Sequence, residues 1–160
     1  MAVNPVSANG PPEAQLRSLI EKFDPKDQRL IHSVRSVMRK QLPTANELVY
    51  DYRTSVVIGY SPTHHGIDAI FAIAARADGV SLYFNQGKQL PDPKKLLMGS
   101  GKQARFIRVE AASQLKHPDV EALLTAAIDH ATEPLASKGR GELVIKPGAA
   151  KQRPRRKRAK

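Results

Sequence analysis

At 160 residues, with no cysteine, the chain suits a single domain and excludes disulfides, thiolate metal sites and cysteine nucleophiles. Its formal charge is +11, yet eight of the 26 Lys and Arg lie from Lys146 to Lys160 with no acid among them, which leaves the preceding body at +3. The N-terminus has neither the basic start nor the apolar run of a secretory signal, and the longest apolar run, Ala69 to Ala75, is far short of the roughly 20 residues of a membrane-spanning helix. A cytoplasmic address with no membrane partner is the expectation.

Residues 1–10 are small, polar and broken by Pro5 and Gly10, the composition of a disordered terminus. A single domain is then expected over 11–146. Pro11 and Pro12 open a helix in which Leu16, Leu19, Ile20 and Phe23 recur at helical spacing. Asp24 suits the N-cap of a second helix with Pro25 at its first position and Asp27 in its first turn. Its apolar stripe is Leu30, Ile31, Val34, Val37 and Met38, with Arg35, Arg39 and Lys40 expected outward and Pro43 as the stop. Each stripe demands a partner surface.

That partner is a sheet. Glu47 to Tyr52 and Ser55 to Tyr60 are short and rich in β-branched and aromatic residues, and Ser61 to Gly66 is a turn-forming loop. Ile67 to Ala75 is apolar on both faces and reads as a central strand. The turn Ala77-Asp78-Gly79 leads into Val80 to Phe84, where Val80, Leu82 and Phe84 share one face and Ser81 and Tyr83 the other. Asp92-Pro93 predicts a short helix to Met98, stopped by Gly99, and Gln103 to Glu110 a further strand. Pro118 starts a helix with the stripe Val120, Leu123, Leu124, Ala127, Ile128 and Ala131, after which Glu142 to Ile145 suits a short edge strand. Strands in a run joined by short turns predict an α+β fold, a mostly antiparallel sheet with helices on one face.

Two places carry concentrated positive charge. Between Gln86 and Arg108 stand Lys88, Lys94, Lys95, Lys102, Arg105 and Arg108 against Asp92 alone. Within this stretch Gly99-Ser100-Gly101-Lys102 lets backbone N–H groups turn toward an anion, with Tyr83 and Arg105 as candidate partners. The same glycines also suit a helix C-cap and a tight turn. A nucleotide P-loop is excluded, because Leu96 and Gln103 occupy the positions where that motif needs Gly and Ser or Thr. The second place is the terminal segment, KPGAAKQRPRRKRAK. There Lys151, Arg153, Arg155, Arg156, Lys157, Arg158 and Lys160, spaced by Pro and Gly, read as a disordered tail over 147–160 that attracts DNA or RNA without sequence preference.

Other chemistry has less to stand on. His64-His65 with Asp68 provides too few convergent ligands for a metal site, and His32, His117 and His130 belong to separate segments. No nucleophile elbow, HExxH or dinucleotide fingerprint occurs, so no catalytic residue is assigned.

The run Tyr83-Phe84, Gly87, Leu90, Asp92-Pro93, Leu96-Leu97, Gly99, Gly101-Lys102-Gln103, Arg105 and Ile107-Arg108 resembles the core signature of the YdhG-like domain of unknown function. The likeness extends from about Leu30 to Ala131. It implies an α+β fold related to the frataxin, CyaY and YjbR group, and with it the iron handling by surface carboxylates suggested for that group. Here Glu13, Glu21, Asp24 and Asp27 interleave with Arg17, Lys22, Lys26 and Arg29, so the first helices form no acidic ridge. The resulting expectation is a non-enzymatic YdhG-like binding module with a nucleic-acid-binding tail; the alternative is a frataxin-like carrier of iron or of a small anion.

Overall fold

A computed structural model of the chain describes residues 10–146. The expected disordered terminus before Gly10 and the basic segment beyond Lys146 lie outside the described residues.

Three helices form at the predicted stripes among the described residues, the first ending before Phe23 and the third before Ala131. Helix α1 (Pro12–Ile20) buries Leu16 and Ile20. Helix α2 (Pro25–Gln41) starts at Asp24, whose carboxylate accepts the Asp27 N–H at 3.0 Å, so one of the orphan donors of the first turn is satisfied. Helix α3 (Pro118–Asp129) buries Val120, Leu123, Leu124 and Ala127, four members of its predicted stripe.

Among the described residues six strands form one sheet, in the spatial order β5-β4-β3-β2-β1-β6. They are β1 (Asn46–Asp51), β2 (Val56–Ser61), β3 (Phe71–Arg76), β4 (Gly79–Phe84), β5 (Arg105–Val109) and β6 (Leu143–Ile145). Strands β1 to β5 pair antiparallel with their neighbours, and β6 lies parallel to β1 at the edge. This is the expected α+β architecture.

Register sorts the side chains. One row across the sheet is Leu143, Glu47, Tyr60, Phe71, Phe84 and Arg105, and the rows beside it hold Val49, Ile58, Ile73, Leu82 and Ile107, then Val56, Ala75, Val80 and Val109. The apolar members of this face join the buried residues of all three helices in one cluster, so the helices pack on this face. Phe71 and Phe84 meet edge-to-face in it, centroids 5.4 Å apart and planes at 79°. The opposite face carries Gly59, Ala72, Ala74 and Ser81, with Tyr83 tilted against Phe106 at 5.0 Å.

Three expectations need correction. The central strand begins at Phe71 rather than Ile67: Gly66–Asp68 is a 3-10 turn, and Ile67 is 91% exposed. The helix predicted from Pro93 to Met98 does not form. The Asp92 carboxylate accepts the N–H groups of Leu96 and Leu97, both at 2.8 Å, and Lys95 adopts φ 56°, a left-handed conformation that ends helical propagation. Met98 then pairs with Phe106 across the sheet edge. Thirdly, Arg35 does not point outward. It is 8% exposed and sits at the centre of the ion network described next.

Candidate functional site

A buried ion network ties α1, α2 and the sheet together. Arg35 on α2 donates through Nε and Nη2 to the two carboxylate oxygens of Glu47, both at 2.9 Å, a paired contact of high geometric specificity. Its Nη1 and Nη2 donate to Glu13 on α1 at 3.0 and 2.8 Å. Glu47 is 4% exposed and also accepts the Tyr60 hydroxyl at 2.8 Å. The antiparallel pairing Glu47↔Tyr60 puts these two groups side by side on the helix-covered face. Arg39, one turn after Arg35, reaches Glu13 at 3.5 Å and Glu47 at 3.7 Å.

Electrostatics follow from this geometry. Burial by itself would lower the Arg35 pKa, but the hydrogen bonds to Glu47 and Glu13 outweigh it and raise the value. Burial next to the Glu47 carboxylate pushes the Tyr60 phenol well above its usual range, so it remains an O–H donor. Hydrogen bonding from Arg35 holds Glu13 below 4.5 despite partial burial. His32, on the same helix, is pushed below 6.5 first by burial and then by Arg35 and Arg17.

These directions give a pH prediction. A group with a depressed folded pKa stabilises the fold above its unfolded value, and that stability is lost as pH falls. The unfolding free energy should therefore decline first as pH drops below about 6.5, where unfolded His32 takes up a proton, and again below about 4.5 through Glu13. Denaturant titrations across this range check it. His32→Ala should flatten the first decline and Glu13→Gln the second, and unchanged acid limbs in both variants would refute the assignment.

Above the network lies a cleft of about 520 Å³ between the C-terminal half of α2, the chain entering β1 and the segment entering β6. His32, Arg35, Arg39, Lys40 and Arg140 line it, with Leu42, Pro43 and Ala45 as its apolar part and Glu47 as its sole carboxylate. Arg140 is placed by backbone. Gly141 N–H donates to the Pro43 carbonyl at 3.0 Å, Glu142 N–H to the Asn46 side chain at 2.9 Å, and Glu47 N–H to the Glu142 carbonyl at 2.8 Å. A Cβ on Gly141 would collide with the Ala45 carbonyl, so only glycine permits this approach.

The residues singled out from the sequence are arranged differently. Tyr83 pairs with Phe106 and Arg105 with Phe84, which puts Tyr83 and Arg105 on opposite faces of the sheet. Arg105 turns its Nη1 back onto the carbonyls of Gly101 and Ala104, at 2.6 and 2.8 Å. Gly99 has φ 112°, as a glycine turn requires, and Gly99, Ser100, Gly101 and Lys102 are all exposed. Lys102 instead shares a shallow depression with Lys88, beside Gln89 and Gln103. Lys151, Arg153, Arg155, Arg156, Lys157, Arg158 and Lys160 lie outside the described residues.

His64 has a carboxylate partner, and His65 is bonded within its loop through its backbone. His64 Nε2 stands 2.9 Å from Glu142, the Thr63 hydroxyl donates to Asp68 at 2.8 Å, and among the described residues no group of three or more His, Asp or Glu is placed to hold a metal. No described helix is long and apolar enough to cross a membrane. Comparison with protein-family models, with characterised proteins and with solved structures finds no match.

Proposed function

We propose that the chain is a non-enzymatic, YdhG-like binding module of the cytoplasm that associates weakly with nucleic acid through its basic C-terminal segment. The observation that carries this reading is the uneven charge: eight cations and no acid from Lys146 onward, attached to a body of only +3. Such a segment gains affinity by releasing counterions condensed on a polyanion, an effect indifferent to base sequence. The body supports the reading locally. Lys88 and Lys102 sit together, and the one carboxylate of that stretch, Asp92, is engaged by backbone donors.

Contact of all eight cations with duplex phosphates gives a slope of about −7 in log affinity against log salt. The test compares the full chain with one ending at Pro147, titrated with a labelled duplex and with single-stranded RNA over a range of salt, and with thermal unfolding as a check on folding. The truncated chain should lose most of the slope. Equal affinities and slopes for the two proteins would overturn the reading.

A further inference from the structure

We infer that the cleft beside the Arg35 network is a binding site for a small phosphate-bearing ligand, separate from the terminal segment. Four cations line it, Arg35, Arg39, Lys40 and Arg140, against the single carboxylate of Glu47. Counting also Glu13, which Arg35 and Arg39 share, and the half-charge of about −0.5 at the C-terminus of α2, the site retains a surplus of roughly one and a half positive charges.

The surplus is distributed usefully. Arg35 spends four of its N–H groups on Glu47 and Glu13 and is thereby fixed in place. Arg39 is held only by contacts of 3.5 and 3.7 Å, longer than a good charged hydrogen bond, so a stronger acceptor can recruit it. Lys40 and Arg140 are exposed and enter none of the ion pairs of the described residues. They approach the cleft from different elements, and Arg140 is held there by the backbone bonds of Gly141 and Glu142. A buried, bonded cation as floor and exposed cations as rim suit an anion with several acceptor oxygens. The volume, about 520 Å³, exceeds the needs of one inorganic phosphate and falls in the range of small-molecule sites, and Leu42, Pro43 and Ala45 offer an organic moiety an apolar wall. Phosphate chemistry is shared by free phosphate esters and by nucleic-acid backbones, and the test separates them.

Isothermal titration of the full chain at low ionic strength uses pyrophosphate, adenosine monophosphate and a short single-stranded oligonucleotide as probes. One saturable site for pyrophosphate and adenosine monophosphate is expected. Lys40→Ala and Arg140→Ala, both exposed positions, should each weaken these two probes about tenfold or more, since a charge-assisted contact is worth roughly 1.5–3 kcal/mol and 1.4 kcal/mol is tenfold. The chain ending at Pro147 should keep their affinity within about twofold, the spread ascribed to context alone, while losing the oligonucleotide. No saturable heat with either small probe overturns the inference. So does an unchanged affinity in both variants, and so does loss of small-probe binding on truncation, which assigns the effect to the terminal segment. Failure of oligonucleotide binding in the full chain counts instead against the nucleic-acid reading and leaves the cleft standing.

Discussion

Arg35→Met should lower the unfolding free energy by about 3–5 kcal/mol, the cost of leaving a buried charge without its partner. Glu47 is the group stranded: 4% exposed, it keeps only the Tyr60 hydroxyl as a close donor once Arg35 is gone. Arg39, 3.7 Å away and half exposed, can move in, which places the expected loss at the lower end of the range. Tyr60→Phe removes one hydrogen bond to a charged group and should cost about 1.5–3 kcal/mol. Glu13→Gln should cost less than about 1 kcal/mol, because Glu13 is half exposed and its pair with Arg35 behaves as a surface ion pair. The informative variant is the double substitution Arg35→Met with Glu47→Met. Apolar replacement of a whole buried pair is often neutral, so the double variant should recover most of the stability lost by Arg35→Met alone. Denaturant unfolding of Arg35→Met, Glu47→Met and the double variant, each against the unaltered chain, measures the coupling directly. A loss under 1 kcal/mol in Arg35→Met would mean that water reaches Glu47 and that the network is not a buried one.

The sequence signals that located the fold are the ones a local pattern can carry. Stripes at helical spacing placed α1, α2 and α3, and alternation through Val80, Leu82 and Phe84 gave the buried face of β4, because both depend only on neighbours within a few residues. The ion network depends on partners 12 and 22 positions from Arg35, brought together by the turn into β1 and the packing of α1. Arg35 lies about 40° from Ile31 on the helical wheel, at the edge of the stripe, so an outward reading with Arg39 and Lys40 was as consistent with the pattern as an inward one. A signal was nevertheless present. In β1, Glu47 shares a face with the buried Val49, and an inward carboxylate on a buried strand requires a donor from the layer packed on it. The anion loop failed to assemble for a related reason. Whether Tyr83 and Arg105 share a face is set by the cross-strand pairing of β4 with β5, which neither strand announces by itself. The missing helix after Asp92 reflects an ambiguity of chemistry, since an aspartate that caps a helix equally well closes a turn with the same two N–H groups. Arg140 was out of reach of sequence reasoning: it is drawn to the cleft by the backbone contacts of Gly141 and Glu142 on β1 and the chain before it.

Phe71→Ala should cost about 3–5 kcal/mol, lowering the melting temperature by roughly 10 °C in a chain of this size. Phe71 is fully buried, stands edge-on to Phe84 and neighbours Tyr60 in the row that crosses the sheet to Glu47. Deleting its ring removes apolar contact on the helix-covered face and opens a cavity that β3, paired on both edges, cannot close by moving inward. It also frees Tyr60 to shift, so part of the loss should appear as a weaker Tyr60–Glu47 bond, and Phe71→Ala with Tyr60→Phe should cost less than the two single changes added together. Phe106→Ala provides the control. Phe106 makes an aromatic contact with Tyr83 at 5.0 Å as well, but on the opposite face and only half buried, so its removal should cost about 1 kcal/mol, chiefly the aromatic pair itself. The contrast between the two phenylalanines measures how one-sided the packing is. Comparable losses at Phe71 and Phe106 would show that Phe106 is packed as tightly as the helix-covered core, contrary to its half-buried position.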